Sequence, residues 1–195
     1  MKKLLILISM FCACTAFSQV NIGLRESYYA RIGYEFKEKY GMELEHSMFS
    51  EHMKFQKVRL ILSYKLKWGN NHAYVQSYYS TIWNGYYQDY GVFCGGDFQL
   101  LKSLVLYANI NPHYDSELKY KTLYSGGVRI GSFKGISLVG EYTTIPQYRV
   151  SEDRIKAGIV VESGKLWIKP EISFPINGEH TTGRVICNFG YTIGE

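Results

Sequence analysis

Alternation of apolar and polar positions is the strongest pattern in this chain, and residues 56–68 (QKVRLILSYKLKW) show it most completely. One parity carries Val58, Leu60, Leu62, Tyr64, Leu66 and Trp68. The other parity carries three lysines and an arginine. A helix would mix the two sets around its circumference, whereas a strand places them on opposite faces. The length of the segment and the aromatic residue at its end are typical of a membrane-spanning strand.

The same alternation recurs along the rest of the chain. Apart from the two predicted strands between residues 73 and 98, the apolar parity contains no Lys, Arg, Asp or Glu. Charge on a lipid-facing strand costs ~2–4 kcal/mol near the middle of a bilayer, so this segregation favours lipid as the outer solvent. The predicted strands are 19–25, 28–37, 42–48, 56–68, 73–83, 87–98, 104–111, 119–130, 136–144, 154–162, 166–174 and 184–193. The pattern therefore predicts an all-β fold: a closed, antiparallel, up-and-down transmembrane β-barrel of about twelve strands, with ten or eight as alternatives.

The connections between these strands alternate between short and long. The predicted inner turns are 38–41, 69–71, 99–102, 133–135 and 163–165. The predicted outer connections are 26–27, 49–55, 84–86, 112–118, 146–152 and 175–182. An even number of strands lets the first and last strands pair and close the sheet. Short turns on one side and longer loops on the other are typical of outer-membrane barrels with both chain ends in the periplasm.

The N-terminal residues 1–18 have the features of an export signal. Lys2 and Lys3 precede an apolar run at residues 4–11, and small residues around Ser18 provide a cleavage site. The remaining residues, 19–195, form one predicted barrel domain. The signal predicts export, and together with the strand pattern it predicts a location in the cell outer membrane.

Composition adds three constraints. Eighteen tyrosines, nineteen glycines and only four prolines favour an all-β protein. The net charge of +5 includes Lys2 and Lys3 and is too small to indicate a nucleic-acid partner. Cys94 and Cys187 lie on the outward parity of two strands about half a barrel apart, so we expect two free thiols.

The C-terminal strand NFGYTI carries Phe189, Tyr191 and Ile193 on one parity. It resembles the assembly signal of Gram-negative outer-membrane barrels, although Gly194-Glu195 replaces the usual terminal aromatic residue. With its size and strand pattern, the chain from residue 19 to 195 resembles a small, porin-like outer-membrane β-barrel protein. This resemblance implies contact with outer-membrane lipid, no cofactor and no enzymatic activity.

The inward parity of the predicted barrel is charged, with more basic than acidic residues. One interpretation is a narrow, porin-like channel with a mild preference for small anionic solutes. The other is a structural barrel closed by cross-strand pairs, such as Glu43 or Glu45 with Arg59, and Arg129 with Glu141 and Arg154. The predicted lumen-lining residues are Arg31, Glu35, Glu43, Glu45, Arg59, Lys65, Arg129, Glu141, Arg154, Lys156, Lys169, Glu171 and Arg184.

Many glycines also fall on the inward parity, which suits a crowded concave wall better than a convex surface. They are Gly33, Gly91, Gly95, Gly127, Gly158 and Gly190.

Two other function classes remain open from the sequence. A secreted soluble β-barrel or sandwich would turn the apolar face inward to a core or an apolar ligand, which would bury Leu60 and expose Arg59. A lipid-modifying hydrolase would use His113, Asp115 and Ser116 in the predicted loop 112–118, although no nucleophile-and-base motif of defined spacing is present. The remaining histidines are scattered singly, so the sequence predicts no metal site.

Overall fold

The structure is a computed structural model that describes residues 18–25, 29–47, 57–82, 87–116, 119–147, 150–177 and 183–193. The predicted signal lies outside these residues, apart from Ser18. The strands are β1 (Ser18–Arg25), β2 (Tyr29–Phe36), β3 (Tyr40–Ser47), β4 (Lys57–Trp68), β5 (Asn71–Ile82), β6 (Gln88–Leu101), β7 (Leu104–Asp115), β8 (Lys119–Phe133), β9 (Ile136–Gln147), β10 (Val150–Ser163), β11 (Leu166–Pro175) and β12 (Arg184–Ile193). None of the described residues belongs to a helix long and apolar enough to cross a membrane.

These twelve strands form a closed barrel in which each strand pairs with its neighbours in the chain. The closure joins β1 to β12 in antiparallel register, with Val20 opposite Ile193 and Leu24 opposite Phe189. The predicted twelve-stranded up-and-down barrel is therefore confirmed, and the alternatives of ten and eight strands are wrong.

The two ends of the barrel differ in their connections. We name the end at which β1 begins the turn rim, because tight turns at 37–39, 69–70, 102–103, 134–135 and 164–165 lie there. The opposite end, at which β3, β5, β7, β9 and β11 finish, is the loop rim. The predicted turn at 99–102 is misplaced, because residues 99–101 belong to β6. An irregularity in register between Gln99 and Leu101 exposes two consecutive leucines, which breaks the alternation read from the sequence.

Two predicted loops are shorter than the sequence indicated. Strand β7 continues to Asp115, and the hairpin of β9 and β10 narrows until Gln147 faces Val150. The predicted connections 112–118 and 146–152 are therefore wrong in extent. The backbone ladder continues past the point at which apolar alternation stops, because pairing needs backbone groups and not apolar side chains. The predicted connections 26–27, 49–55 and 84–86 lie outside the described residues.

The apolar face points outward. Leu60, Leu62 and Ile159 are 41%, 49% and 38% exposed, whereas the side chains of Arg59 and Lys156 lie inside and are largely covered. The soluble barrel or sandwich with an inward apolar face is therefore wrong. In β5 and β6, whose sequences alternate least clearly, the outward parity predicted from the sequence includes Val75, Tyr79, Tyr90 and Val92, and all four are exposed. Cys94 and Cys187 lie on this outer face and form no disulfide bond, as predicted.

Aromatic side chains on the outer face gather near both rims. Close to the turn rim, the Tyr40 and Tyr64 ring centroids lie 5.2 Å apart, and those of Trp68 and Phe98 lie 6.3 Å apart. Near the loop rim, the Tyr114 ring on β7 stacks with Tyr90 on β6 at 4.9 Å and meets Tyr120 on β8 edge-on at 5.1 Å. The sequence predicts an interfacial aromatic girdle of residues near strand ends, namely Tyr28, Phe36, Tyr64, Trp68, Trp83, Tyr142 and Phe174. Four of them, Tyr64, Trp68, Tyr142 and Phe174, are exposed as expected, and Phe36 is half-buried. Tyr28 and Trp83 lie outside the described residues.

Candidate functional site: the charged inner wall

The inner wall is built from large aromatic side chains that lie directly opposite glycines on the neighbouring strand. Four such pairs are Tyr74 with Gly95, Tyr78 with Gly91, Tyr107 with Gly127, and Trp167 with Gly190. A Cβ atom added at Gly190 would lie 2.6 Å from Trp167 Nε1, and one added at Gly91 would lie 2.7 Å from the Tyr78 hydroxyl. The glycines therefore leave room for rings to lie against the wall, as the crowded concave surface predicted from the sequence requires.

A buried carboxylate holds two arginines together on the wall formed by β1 to β4. Glu45 is 1% exposed, and its two oxygens accept hydrogen bonds from Arg25 Nε and Nη2 at 2.6 and 2.7 Å. Arg59 Nη1 lies 3.5 Å from the same carboxylate. Two guanidinium groups thus share one negative charge, which leaves a local excess of positive charge.

The arginine pair connects to a buried polar cluster through Tyr78. The guanidinium carbon of Arg59 lies 4.9 Å from the centre of the Tyr78 ring. The Tyr78 hydroxyl is hydrogen-bonded to His113 Nδ1 and accepts a longer bond, 3.4 Å, from Asn111 Nδ2. His113 Nε2 lies 3.1 Å from Asp115 Oδ2. These contacts link the adjacent strands β4 and β5 to β7, on the far side of β6.

A second buried carboxylate lies beside this cluster at the loop rim. Asp89 is fully buried, and Lys57 Nζ and the Ser80 hydroxyl both donate to it. The hydroxyl of Tyr87, just before β6, donates to the same carboxylate at 3.2 Å. Burial, followed by the negative charge of Asp89, raises the pKa of Tyr87, so this phenol stays protonated at physiological pH.

On the opposite wall, two glutamates and two lysines form a second network across β9, β10 and β11. Glu141 lies 3.6 Å from Lys156 Nζ and 3.3 Å from Lys169 Nζ. Lys169 also lies 2.9 Å from Glu171, whose carboxylate accepts a bond from Asn188 at 2.9 Å. In this network, unlike the Glu45 site, carboxylates and ammonium groups are equal in number.

The seam at which the barrel closes has its own cross-strand arrangement. Gly23 on β1 lies opposite Arg31 on β2 and also opposite Gly190 on β12. Gly190 in turn lies opposite Trp167 on β11. The Arg31 guanidinium spans the two glycines and lies 5.6 Å from the centre of the Trp167 ring. This cation–π contact therefore connects side chains on both sides of the seam.

Packing of the inner wall is tightest toward the loop rim. Seven polar side chains within five residues of that rim are almost inaccessible, namely Glu45, Ser80, Asp89, His113, Asp115, Arg154 and Ser173. Toward the turn rim the charged side chains are more open: Lys65 pairs with Glu35 at 2.5 Å, and Arg129 pairs with Glu162 at 2.5 Å. Glu162 is 45% exposed. Among the described residues, the inner-wall side chains are therefore packed most densely in the loop-rim half.

The structure places twelve of the thirteen predicted lumen residues in contact with partners on the inner wall or beside it. Arg184, at the loop-rim end of β12, is exposed. Of the predicted pairs, Glu45 with Arg59 is present, whereas Arg129 pairs with Glu162 instead of Glu141, and Arg154 donates to Ser173. Sequence reasoning missed Arg25, Lys57, Tyr78 and Tyr107 as members of the site, although their inward parity was a usable signal.

The hydrolase residues do not form a catalytic arrangement. His113 and Asp115 lie in strand β7, buried inside the barrel, and not in a loop. Both ring nitrogens of His113 already have partners, and the Ser116 hydroxyl accepts a bond from the Gln88 backbone N–H at 3.2 Å. His113 therefore has no free nitrogen to take a proton from Ser116. No group of three or more His, Cys, Asp or Glu side chains in the described part of the chain is placed to hold a metal ion.

No protein-family model matches the sequence, and no curated protein matches it either. Solved structures do match the fold. The KdgM porin in complex with disordered oligogalacturonate aligns with a TM-score of 0.65 and 10% identity, over 91% of this chain and 99% of that chain. The KdgM porin alone aligns with a TM-score of 0.63 and 9% identity, over 91% and 98%. The NanC porin in a rhombohedral crystal form aligns with a TM-score of 0.56 and 10% identity, over 90% and 98%.

At such low identity the likeness concerns the fold and not the residues of the site. The alignments nevertheless span nearly the whole of both chains, so they compare complete barrels. The resemblance to small, porin-like β-barrels that the sequence suggested is confirmed at this level. This chain has the twelve-stranded, porin-like barrel fold that it shares with the KdgM and NanC porins.

Proposed function

We propose that the protein is a narrow channel in the cell outer membrane that passes small solutes with a mild preference for anions. The observation that carries this proposal is a closed barrel with an exposed apolar exterior and a charged interior. An apolar exterior around a polar interior is the arrangement that a water-filled pore in lipid requires. The signal-like residues 1–18 and the fold shared with two porins support the outer-membrane location.

The arginines on one wall outnumber the carboxylates that they contact, and this supports the anion preference. Arg25 and Arg59 both contact Glu45, and Arg31 lies 3.7 Å from Glu43. Three arginines therefore face two carboxylates on one wall. An excess of fixed positive charge on the low-dielectric wall of a narrow lumen lowers the energy of an anion there and raises that of a cation. The effect is mild because most of the inward charges are paired.

The neighbouring structures agree with this direction. One KdgM structure contains oligogalacturonate, whose sugar units each carry a carboxylate. Applied to this chain, that likeness favours acidic oligosaccharides among the solutes to test. The tight packing near the loop rim favours small or extended solutes over bulky ones.

The test is to measure ion currents through the purified protein in planar lipid bilayers. Under a salt gradient we expect a reversal potential of the sign that chloride permeation produces. Oligogalacturonate added to the bath should reduce the current more than a neutral oligosaccharide of equal length. A cation-selective current would reject the anion preference, and the absence of single-channel conductance in folded, inserted protein would reject the channel.

The second candidate is a closed structural barrel. It is favoured by one observation, the near-complete burial of Asp89, His113, Asp115 and Arg154 close to the loop rim. The same bilayer measurement separates it from a channel, because a closed barrel inserts without conducting.

A further inference from the structure

Lysines are concentrated at the turn rim of the barrel. Four of the five tight turns in the described residues carry at least one lysine in the turn itself: Lys37 and Lys39, Lys102, Lys134 and Lys165. All five side chains are exposed, and Glu38 is the single acidic residue in these turns. Because the turns follow one another around the closed barrel, these lysines form a ring of positive charge, which we name the lysine ring.

Turn geometry does not explain this choice of residue. Lys37 and Lys134 have φ angles of 52°, in the left-handed region that favours glycine and asparagine. Glu38 in the first of these turns and Lys119 at the loop rim also have positive φ angles, of 54° and 64°, so the backbone does not select lysine at these positions. The common property of the ring is an exposed ammonium group on a long, flexible stem.

The lysine ring lies beside the aromatic residues of the turn rim. Lys37 Nζ lies 5.1 Å from the centre of the Phe36 ring. Tyr40, Tyr64, Trp68 and Phe98, which are between 37% and 53% exposed, lie within a few residues of the same turns. Aromatic side chains followed by basic residues mark the level at which a bilayer changes from acyl chains to headgroups.

We propose that the lysine ring binds the phosphate groups of anionic phospholipids in the leaflet that surrounds the turn rim. This inference rests on the membrane location proposed above. The charges are spread around the perimeter of the barrel, which fits a planar layer of headgroups better than a compact partner protein. Each exposed lysine near an anionic surface contributes an attraction that weakens beyond a Debye length of about 10 Å at 0.1 M salt.

The experiment compares phospholipids at the barrel surface by electron spin resonance of spin-labelled lipids. The protein is reconstituted into phosphatidylcholine vesicles with either spin-labelled phosphatidylglycerol or spin-labelled phosphatidylcholine. We expect phosphatidylglycerol to associate about two- to fivefold more strongly at low salt, from the attraction of one lysine per contacting lipid. The preference should disappear at high salt and in the variant in which all five lysines are replaced by glutamine.

A matched pair of double variants provides the control. K37Q/K39Q removes two charges from the lysine ring, and K119Q/R184Q removes two exposed charges from the loop rim. The first should reduce the phosphatidylglycerol preference, and the second should leave it unchanged. Equal losses in both variants would mean that net charge alone attracts the lipid, which would overturn the proposal.

Four further outcomes are decisive. An unchanged lipid preference in the five-lysine variant overturns the proposal. A change in ion selectivity without a change in lipid preference would assign the ring to solute attraction, and this also overturns it. Protein that inserts and selects phosphatidylglycerol but does not conduct would reject the proposed channel and support the lysine ring. Failure to insert, seen by vesicle flotation, would reject both.

Discussion

Tyr107 lies directly opposite Gly127 on the inner wall, so that a Cβ atom at the glycine would lie 2.5 Å from the tyrosine hydroxyl. Because nothing projects from Gly127, the Tyr107 side chain passes over β8 and donates its hydroxyl hydrogen to Glu141 on β9 at 3.2 Å. The glycine therefore allows an aromatic side chain to join the ion network of the next strand but one.

Replacing Gly127 with alanine should destabilise the barrel by about 1–3 kcal/mol, because the added methyl group meets both Tyr107 and the Gly140 carbonyl oxygen. The matched control is Gly126→Ala on the outer face, where a Cβ atom has no contact closer than 3.4 Å. Urea unfolding of vesicle-inserted protein, followed by the heat-modifiable gel shift, measures both. Equal stability of the two variants would contradict the role given to Gly127.

Glu45→Gln should leave Arg25 and Arg59 without their shared negative charge. We expect a loss of about 1–3 kcal/mol in unfolding free energy, since a buried ion pair is broken from one side. Glu35→Gln is the control, because its partner Lys65 is 38% exposed and the pair should be worth less than about 1 kcal/mol.

The same Glu45→Gln variant should shift the reversal potential further toward chloride, because it removes one negative charge from the lumen. Single-channel recordings under a salt gradient measure this. An unchanged reversal potential would show that the Glu45 carboxylate does not act on ions in the conduction path.

Tyr78→Phe should keep the ring against Arg59 and remove the hydroxyl that binds His113 and Asn111. Leaving these buried groups unsatisfied should cost about 1–3 kcal/mol. Tyr79→Phe is the control on the adjacent, outward-facing position, which is 46% exposed, and should change stability by less than about 0.5 kcal/mol. Urea unfolding of both variants gives the comparison.

Cys94 should react with a lipid-soluble maleimide, and not with a charged thiol reagent, when the barrel is in vesicles. Its side chain is exposed on the apolar outer face, where an anionic reagent would have to enter lipid. Mass spectrometry of the modified protein provides the readout. The urea-unfolded chain should react with both reagents, and rapid labelling by the charged reagent in intact vesicles would place Cys94 in water.

The number of strands, the closure of the barrel and the outward position of the apolar face were predictable, because each depends on the alternation of apolar and polar residues. The parity of Leu60 and Arg59 needs no knowledge of distant residues, since a strand sends neighbours to opposite faces. Alternation no longer reveals a strand where both faces of that strand meet polar surroundings. For that reason the sequence predicts loops at the loop-rim ends of β7 and β9, although Pro112 faces Thr122 within the ladder.

The sequence predicted which charged side chains line the inner wall better than it predicted which of them form ion pairs with each other. Arg129 and Glu141 lie on adjacent strands at neighbouring levels, yet Arg129 contacts Glu162 on β10. The choice depends on the stagger between strands, on glycines that let long side chains cross a strand, and on the direction in which each stem leans. These quantities come from the closed barrel and not from parity.

The pairing of Val20 with Ile193 has a consequence for how the chain is made. The first strand to leave the ribosome waits for the last one, because its free edge has no other partner to complete the ladder. Until the C-terminal residues arrive, every intermediate presents unpaired backbone groups at an open edge that is prone to associate with other chains. Biogenesis must therefore protect these open edges from other chains until the whole polypeptide is available and the ring can close.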